Sequence, residues 1–288
     1  MSQIAVLGLG AMGSRIALNL LEAGHNVILW NRSPHRAVAF APQGATVAPS
    51  PKAAAQEAEI VISMVTDNEA SQSVWLDPET GAALGLAPGA IAIESSTLTV
   101  GWLKHLAAEI ERRGAGFLEA PVVGSRPQAE AKKLISLVGG KADILAQVQE
   151  ILLAAGSSTI HHVGEVGQGM AMKLAVNALF GIQVAALAEM IGFLTQNGVP
   201  ATKAMECLSA LPILSPAAQG AGHLMLGTNH APLFPIELVA KDFRYVLETA
   251  QAATATAPTS TAVYRIYQDA IAQGYGNDNI TGIIQRFT

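Results

Sequence analysis

The spacing of apolar residues changes twice within the first 30 positions. Residues 4–7 are a continuous apolar run of strand length. Met12, Ile16 and Leu20 then recur every fourth residue, as one buried face of a helix over 14–23 requires, and 26–30 is a second apolar run. Gly8-Leu9-Gly10-Ala11-Met12-Gly13 joins the first run to the helix, and Gly24 follows the helix as a C-cap. Strand, glycine turn, helix and strand within about 30 residues is the form of a dinucleotide-binding βαβ unit. In such a unit Gly8 permits the tight turn, Gly10 lets the backbone approach a pyrophosphate, and Gly13 lets helix and strand pack closely. The phosphates face the helix N-terminus.

Further strand-like runs lie at 60–65, 91–94, 117–118, 134–138 and 159–163, and helix-like stretches at 51–58, 98–113 and 142–154. Their alternation predicts an open, mainly parallel sheet covered on both faces. From Gly164 onward β-branched runs disappear and Ala, Leu and Met dominate. The expected architecture is therefore α/β: a Rossmann-type doubly wound sheet over 1–163, then an all-helical domain over 164–288 for substrate binding and oligomerisation. A helix over 168–196, stopped by Asn197-Gly198, joins the domains and lines a cleft between them. Residues 250–261, rich in Ala and Thr, read as helical.

Length and composition narrow the picture. At 288 residues two domains are expected. Only 14% of residues are charged, below the roughly 25% of a typical soluble domain, so a homo-oligomer, dimer or tetramer, is expected. A formal charge of −5 with no basic stripe argues against nucleic acid. Cys207 is the only cysteine and, in an apolar helical stretch, reads as a packed thiol; no disulfide is possible within the chain. The first strand begins at the N-terminus, so no signal segment is expected and the cytoplasm is the expected compartment. Residues 174–188 are uncharged but short of the ~20 apolar residues that span a bilayer, so no membrane partner is expected. His161 and His162 face opposite ways on a strand with no carboxylate cluster nearby, and no metal is expected.

The end of the second strand carries the cofactor preference. An NAD enzyme usually places a carboxylate there for the ribose hydroxyls, roughly 20 residues past the fingerprint. This chain has Asn31-Arg32-Ser33. Arg32 can pair with a 2′-phosphate, and Asn31 and Ser33 can donate to it, so NADPH is expected over NADH.

For proton transfer the candidate is Lys173, one turn before Asn177 on the long helix. An apolar cleft disfavours its ammonium form and eases donation to an alkoxide, though a snorkelling lysine at a helix end has the same spacing. Glu119-Ala-Pro-Val-Val-Gly-Ser125 follows a strand and places the N–H groups of Gly124 and Ser125 where they can hold a carboxylate or form a structural turn. Lys241-Asp242 falls early in a helix, as a possible ion pair.

The chain resembles the β-hydroxyacid dehydrogenases, the group that includes 3-hydroxyisobutyrate dehydrogenase and the glyoxylate/succinic semialdehyde reductases. The resemblance rests on 6–13, Glu94-Ser-Ser-Thr97, Phe117-Leu-Glu-Ala-Pro-Val122, Gly164-Glu-Val-Gly-Gln-Gly169, Met172-Lys-Leu-Ala-Val-Asn177 and Val239-Ala-Lys-Asp-Phe-Arg244. It implies that Lys173 is the general acid/base and Asn177 its orienting partner. It further implies that Thr97 and Lys241 approach the nicotinamide, that Asp242 and Phe234 shape the closed cleft, and that Val123, Gly124 and Ser125 belong to the substrate loop. Gly8 to Gly13, Asn31 to Ser33, Met64, Val65, Thr97, Lys241 and Asp242 form the implied cofactor set. The Asn31-Arg32-Ser33 ending resembles the NADPH-preferring reductase branch.

One departure is chemical. The family usually has serine after Pro-Val, where this chain has Val123; losing that donor costs ~1–3 kcal/mol toward a buried carboxylate. The expected activity is NADPH-dependent reduction of a small aldehyde or keto acid, such as succinic semialdehyde or glyoxylate, to its hydroxy acid. Imine reduction on the same fold is the alternative that Val123 favours and Lys173 opposes. A non-catalytic NADP-binding module is the third.

Overall fold

The computed structural model describes residues 1–228 and 230–288. They form two compact units, Met1–Lys173 and Leu174–Thr288, and the division falls inside one long helix.

The first unit begins with β1 (Gln3–Leu7), α1 (Gly13–Glu22), β2 (Asn26–Trp30), α2 (Pro34–Val38), β3 (Thr46–Val47), α3 (Pro51–Gln56), β4 (Ile60–Ser63) and α4 (Asn68–Leu76). It continues with β5 (Ile91–Glu94), α5 (Val100–Glu111), β6 (Gly116–Glu119), β7 (Val122–Val123), α6 (Arg126–Glu130), β8 (Leu134–Gly140), α7 (Ala142–Ala154) and β9 (Ser157–Gly164), and ends in the start of α8 (Gln168–Gln196).

The strands lie in the order β3-β2-β1-β4-β5-β6-β8-β7, with β9 also on β8. β3 through β6 are parallel, as near-continuous apolar strands buried on both faces require. β8 runs antiparallel to both β6 and β7, a reversal that hydrophobic spacing alone does not register. One face of the sheet presents Ile4, Val6, Leu29, Ile62, Ile93 and Leu118 to Ile16 and Leu20 of α1 and to Val148 and Ile151 of α7. After β1 the chain builds outward through β2 and β3, then returns to place β4 on the other flank of β1. Such a switch point opens a crevice at the carboxyl ends of the strands, where ligands bind in this architecture.

The second unit holds the rest of α8, then α9 (Ala201–Ser209), α10 (Pro216–Leu226), α11 (Ile236–Ala252), α12 (Pro258–Ala272) and a 3-10 turn at Ile280–Arg286. Val184, Leu187, Ile191, Phe243, Tyr267 and Ile283 form its core. Gly181 lets α11 come close, since a Cβ there would lie 2.6 Å from the Phe243 ring. The rings of Phe243 and Tyr267 stack 5.6 Å apart, and the Tyr267 hydroxyl donates to the Gly181 carbonyl at 2.9 Å.

Three expectations change. Residues 250–261 are not one helix: α11 stops at Ala252 and α12 starts at Pro258, whose ring cannot continue an incoming helix. Cys207 is exposed, because Ala204 and Met205 form the buried face of α9 and Cys207 turns outward. The apolar stretch read as 174–188 is part of a 29-residue helix that by length and composition alone could cross a membrane, an 18-residue window of it having a mean hydropathy of 1.8. Within the fold 44% of that window is buried, and Val184, Leu187, Ala188 and Ile191 of this helix lie in the core of the second unit.

Candidate cofactor and catalytic site

The three glycines of the first turn meet different surroundings. Gly8 has φ +96°, and a Cβ on it would sit 2.4 Å from the Met64 carbonyl oxygen. A Cβ on Gly13 would sit 2.0 Å from the Gly8 carbonyl oxygen, so α1 can start here only because no side chain intervenes. At Gly10 nothing lies within 4 Å of that position. The close positions are structural, and the open one is a cradle. Met64 and Val65 stand against the turn, Leu9 is buried and Ala11 exposed. α1 has no acidic residue in its first turn and no capping side chain, which leaves its N–H groups and dipole to an anion. These residues fit a dinucleotide pyrophosphate.

At the end of β2 Asn31 has a bracing role that the sequence does not show. Its Oδ1 accepts from the Leu9 N–H at 2.8 Å and its Nδ2 donates to the Ser33 carbonyl at 3.1 Å, so the amide braces the loop and keeps one N–H beyond these bonds. Ser33 precedes α2 without capping it, and Arg32 is exposed. Beside them a concavity of about 300 Å³ is walled by Trp30, Asn31, Pro34, Ala37, Val47, Ala48 and Pro49, apolar surfaces suited to a nucleoside base.

The ends of β4 and β5 are tied by polar contacts that the sequence analysis missed. The Val65 N–H donates to Ser96 Oγ at 2.7 Å. Asn68 and Thr99 exchange two bonds, side-chain amide to hydroxyl at 2.9 Å and Thr99 N–H to Asn68 Oδ1 at 3.1 Å. Glu94 is fully buried; it accepts from Ser71 Oγ at 2.8 Å, the Trp75 indole at 2.9 Å and the Ser96 N–H at 2.9 Å. Burial pushes its carboxyl above the usual range against the downward pull of those donors. Thr97, half-buried, lies in the loop these contacts hold.

In the substrate loop Val123 ends β7, paired with Ile135, and Gly124 takes φ +125°. The Ser125 N–H donates to Gln128 Oε1 at 2.9 Å, and the Ser125 hydroxyl accepts from the Gln128 N–H, a capping box that opens α6. The expectation of Ser125 as a carboxylate donor therefore needs correction: its N–H is engaged. The signal was legible in Ser125-Arg-Pro-Gln128, a capping-box spacing.

Lys173 lies on α8 with only 8% of its surface exposed. At the start of that helix stands Glu119, fully buried at the end of β6. Its Oε1 accepts from the N–H groups of Gly167 at 2.9 Å and Met170 at 3.1 Å, and the carboxyl also takes the Gly169 N–H. Burial pushes its pKa up to about 7, opposed by those N–H groups and by Lys104. Sequence reading had treated Glu119 only as a motif residue, since its donors lie some fifty positions away.

In the second unit Asn177, one turn after Lys173 on α8, donates its amide to Asp242 Oδ2 at 2.6 Å. Lys241 Nζ lies 3.1 Å from Asp242 Oδ1 and 5.0 Å from the centre of the Tyr245 ring. The structure thus joins Asn177, Asp242 and Lys241 in one polar group, and only Lys241 and Asp242 among them had been paired by sequence. Phe234, just before α11, is half-buried, and its N–H donates to Asn279 Oδ1 at 3.0 Å. Among the described residues no group of three or more His, Cys, Asp or Glu could hold a metal ion.

Known proteins resemble this chain along nearly its whole length. Residues 3–176 match the NAD binding domain of 6-phosphogluconate dehydrogenase, and residues 167–287 match the NAD-binding domain of NADP-dependent 3-hydroxyisobutyrate dehydrogenase. Glyoxylate/succinic semialdehyde reductase 2 of Arabidopsis thaliana is 31% identical over 282 residues, covering 98% of this chain and 78% of the relative. NAD-dependent L-serine dehydrogenase of Pseudomonas aeruginosa is 29% identical over 294 residues, covering all of this chain and 98% of the relative. The structure of Mycobacterium tuberculosis 3-hydroxyisobutyrate dehydrogenase with L-serine superposes with a TM-score of 0.91 at 27% identity, covering 99% of each chain. An imine reductase from Pseudomonas sp. shares the fold more distantly, with a TM-score of 0.62 at 22% identity over 100% of this chain and 99% of that one.

Proposed function

The chain belongs to the 3-hydroxyisobutyrate dehydrogenase-like β-hydroxyacid dehydrogenases, NAD(P)-dependent oxidoreductases, and from that premise we propose that it reduces small aldehydes or keto acids of the succinic semialdehyde or glyoxylate kind with NADPH. The observation that carries this reading is a buried lysine, Lys173, on the helix whose next turn bears Asn177 fixed by Asp242. When bound, the nicotinamide supplies hydride to the carbonyl carbon. Lys173 gives its ammonium proton to the carbonyl oxygen, so that the alkoxide never accumulates. Asn177, one turn along α8 with its amide nitrogen held by Asp242, orients the ammonium. Thr97 and Lys241 bind the nicotinamide end, Phe234 and Val123 supply apolar substrate contacts, and Gly124 offers the loop N–H.

NADPH is favoured because no carboxylate follows β2 and Arg32 is exposed to receive a 2′-phosphate. With Asn31 bracing the loop, Arg32 carries that preference. Homo-oligomer formation belongs to the same reading: Met172, Leu179, Met190 and Phe193 stand exposed on α8 of the single chain. A cytoplasmic enzyme with one unpaired thiol fits this reading too.

Val123 favours a second substrate class, imines, by replacing a hydroxyl with an apolar surface; the proton-donating Lys173 favours a carbonyl. Steady-state turnover of a panel containing succinic semialdehyde, glyoxylate, a cyclic imine and, in the oxidative direction, L-serine tests both. The semialdehydes are expected to be turned over fastest, and Lys173→Ala is expected to lose on the order of 10²- to 10⁴-fold in kcat while still binding NADPH. A Lys173→Ala enzyme with most of its activity would reject the mechanism, and binding of NADPH with no turnover of any panel member would leave a cofactor-binding module.

A further inference from the structure

Glu119 has no step in the proposed reaction, yet it is fully buried and grips the beginning of the helix that carries Lys173. Two glycines make the grip possible. A Cβ on Gly169 would lie 2.5 Å from the Leu137 carbonyl oxygen, and a Cβ on Gly139 would lie 2.0 Å from Glu119 Oε1. Their bareness lets the first turn of α8 settle onto β8 with the carboxylate beneath it. Lys173 follows Gly169 by four residues, one helical turn, so a shift at Gly169 is transmitted along a rigid hydrogen-bonded ladder.

We propose that Glu119 is a positioning residue for Lys173: its carboxylate, held by the N–H groups of Gly167, Gly169 and Met170, fixes the height and rotation of the first turn of α8 and therefore the place of the ammonium one turn later. The proposal rests on the reading of Lys173 as proton donor. The charge is what matters. Only Oε1 takes the two geometrically defined backbone bonds, while Oε2 has no partner among the described residues, so an amide could satisfy the same N–H groups. An ionised acceptor bonds about twice as strongly as a neutral one and also answers the positive end of the helix dipole. Lys104 on α5 favours the ionised form; Glu94 is the register partner on β5, Glu165 lies exposed in the turn before α8, and Lys173 and Glu189 are the charges on α8. From β8 Gly139, the register partner, adjoins the carboxyl, and His162 of β9 is engaged with the Gly140 carbonyl at 2.7 Å.

The test compares wild type, Glu119→Gln, Glu119→Asp and Lys173→Ala by kcat and KM for succinic semialdehyde and NADPH from pH 6 to 9. Wild-type kcat is expected to rise through neutrality as Glu119 ionises. Glu119→Gln should lose that rise and on the order of 10- to 100-fold in kcat, as a misplacement of about 1 Å does, with both KM values nearly unchanged. Glu119→Asp, which restores the charge on a shorter stem, should restore the rise. A merely structural carboxyl would change the melting temperature and leave the pH profile alone. Wild-type kcat and pH profile in Glu119→Gln, with Lys173→Ala inactive, would overturn the positioning role alone; an active Lys173→Ala enzyme would overturn the reading beneath it. Should Glu119→Gln fail to fold, amide exchange of the wild type decides: protection at Gly169 and Met170, corrected for intrinsic rates, should grow as pH passes 7, and protection indifferent to pH would refute the proposal.

Discussion

Replacing Glu119 by glutamine should remove a pH dependence of folding whose sign and size follow from its burial. In the native protein the carboxyl holds its proton up to about pH 7; in the unfolded chain it releases it near 4.5. Between those values the native state binds more protons, so stability from this group is fully present below pH 4.5 and is lost as pH rises to 7. The shift of about 2.5 units corresponds to about 3.4 kcal/mol in full, and between pH 5 and pH 8 to about 2.5 kcal/mol. The assay is urea unfolding of wild type and Glu119→Gln at both pH values. Glu94, whose carboxyl is pushed upward by the same desolvation, contributes equally to both proteins and cancels in the difference. Relative to the variant, wild type should lose about 2.5 kcal/mol on going from pH 5 to 8. A difference that stays constant across that window would refute the argument, because it would mean that the carboxyl ionises at the same pH folded and unfolded.

Three further outcomes are expected. Arg32→Asp should lower the NADPH/NADH ratio of kcat/KM by about 10- to 100-fold, the worth of one charge-assisted bond of ~1.5–3 kcal/mol, and an unchanged ratio would remove Arg32 from the phosphate site. Gly13→Ala, whose Cβ meets the Gly8 carbonyl oxygen at 2.0 Å, should lower stability by about 1–3 kcal/mol or more, whereas Gly10→Ala, which meets nothing within 4 Å, should melt like wild type and bind NADPH more weakly. Equal melting temperatures for the two variants would contradict their division into structural and ligand-facing glycines. In analytical ultracentrifugation the protein should sediment as a dimer or tetramer, and Phe193→Glu on the exposed side of α8 should shift it toward monomer; a wild-type monomer at micromolar concentration would reject the assembly.

What could be read in the sequence was whatever is written in local spacing. The bounds of β2, β5, α7 and α8 follow from apolar runs and from the stop at Asn197-Gly198, because strand and helix periods are properties of neighbours. The glycine turn was legible for the same reason. Long-range polar pairing was not. Asn31 looked like a phosphate donor, and only the fold brings the Leu9 N–H to its oxygen across 22 positions. The short elements α2, α4 and α6 lack an apolar period long enough to be distinct, yet Asp67 and the Ser125–Gln128 pair cap their helices in patterns that a search for caps would have found. Cys207 was misjudged by composition, since an apolar stretch says nothing about which side of α9 turns outward.

The carboxyl ends of β5 and β6 bear Glu94 and Glu119 at paired positions, both fully buried, in a crevice where a neutral polar residue would fold more stably above neutral pH. Glu94 answers side-chain donors of α4 and the Ser96 N–H, and it holds the loop that contains Thr97; Glu119 answers backbone donors at the head of α8. Each links a strand end to a segment expected to touch the reacting groups, so the stability lost to buried ionisation is placed where geometry must be exact, the usual exchange between stability and activity. For Glu119 this gives one titration with two readouts of opposite sign: folding stability should fall from about pH 4.5 and level off near pH 7, where kcat rises. If both belong to the same proton, stability levels off at the midpoint of the kinetic rise and Glu119→Gln abolishes both together. A levelling of stability more than a unit away from the kinetic midpoint, or loss of one effect without the other in that variant, would assign the kinetic rise to a different group and leave Glu119 a structural brace.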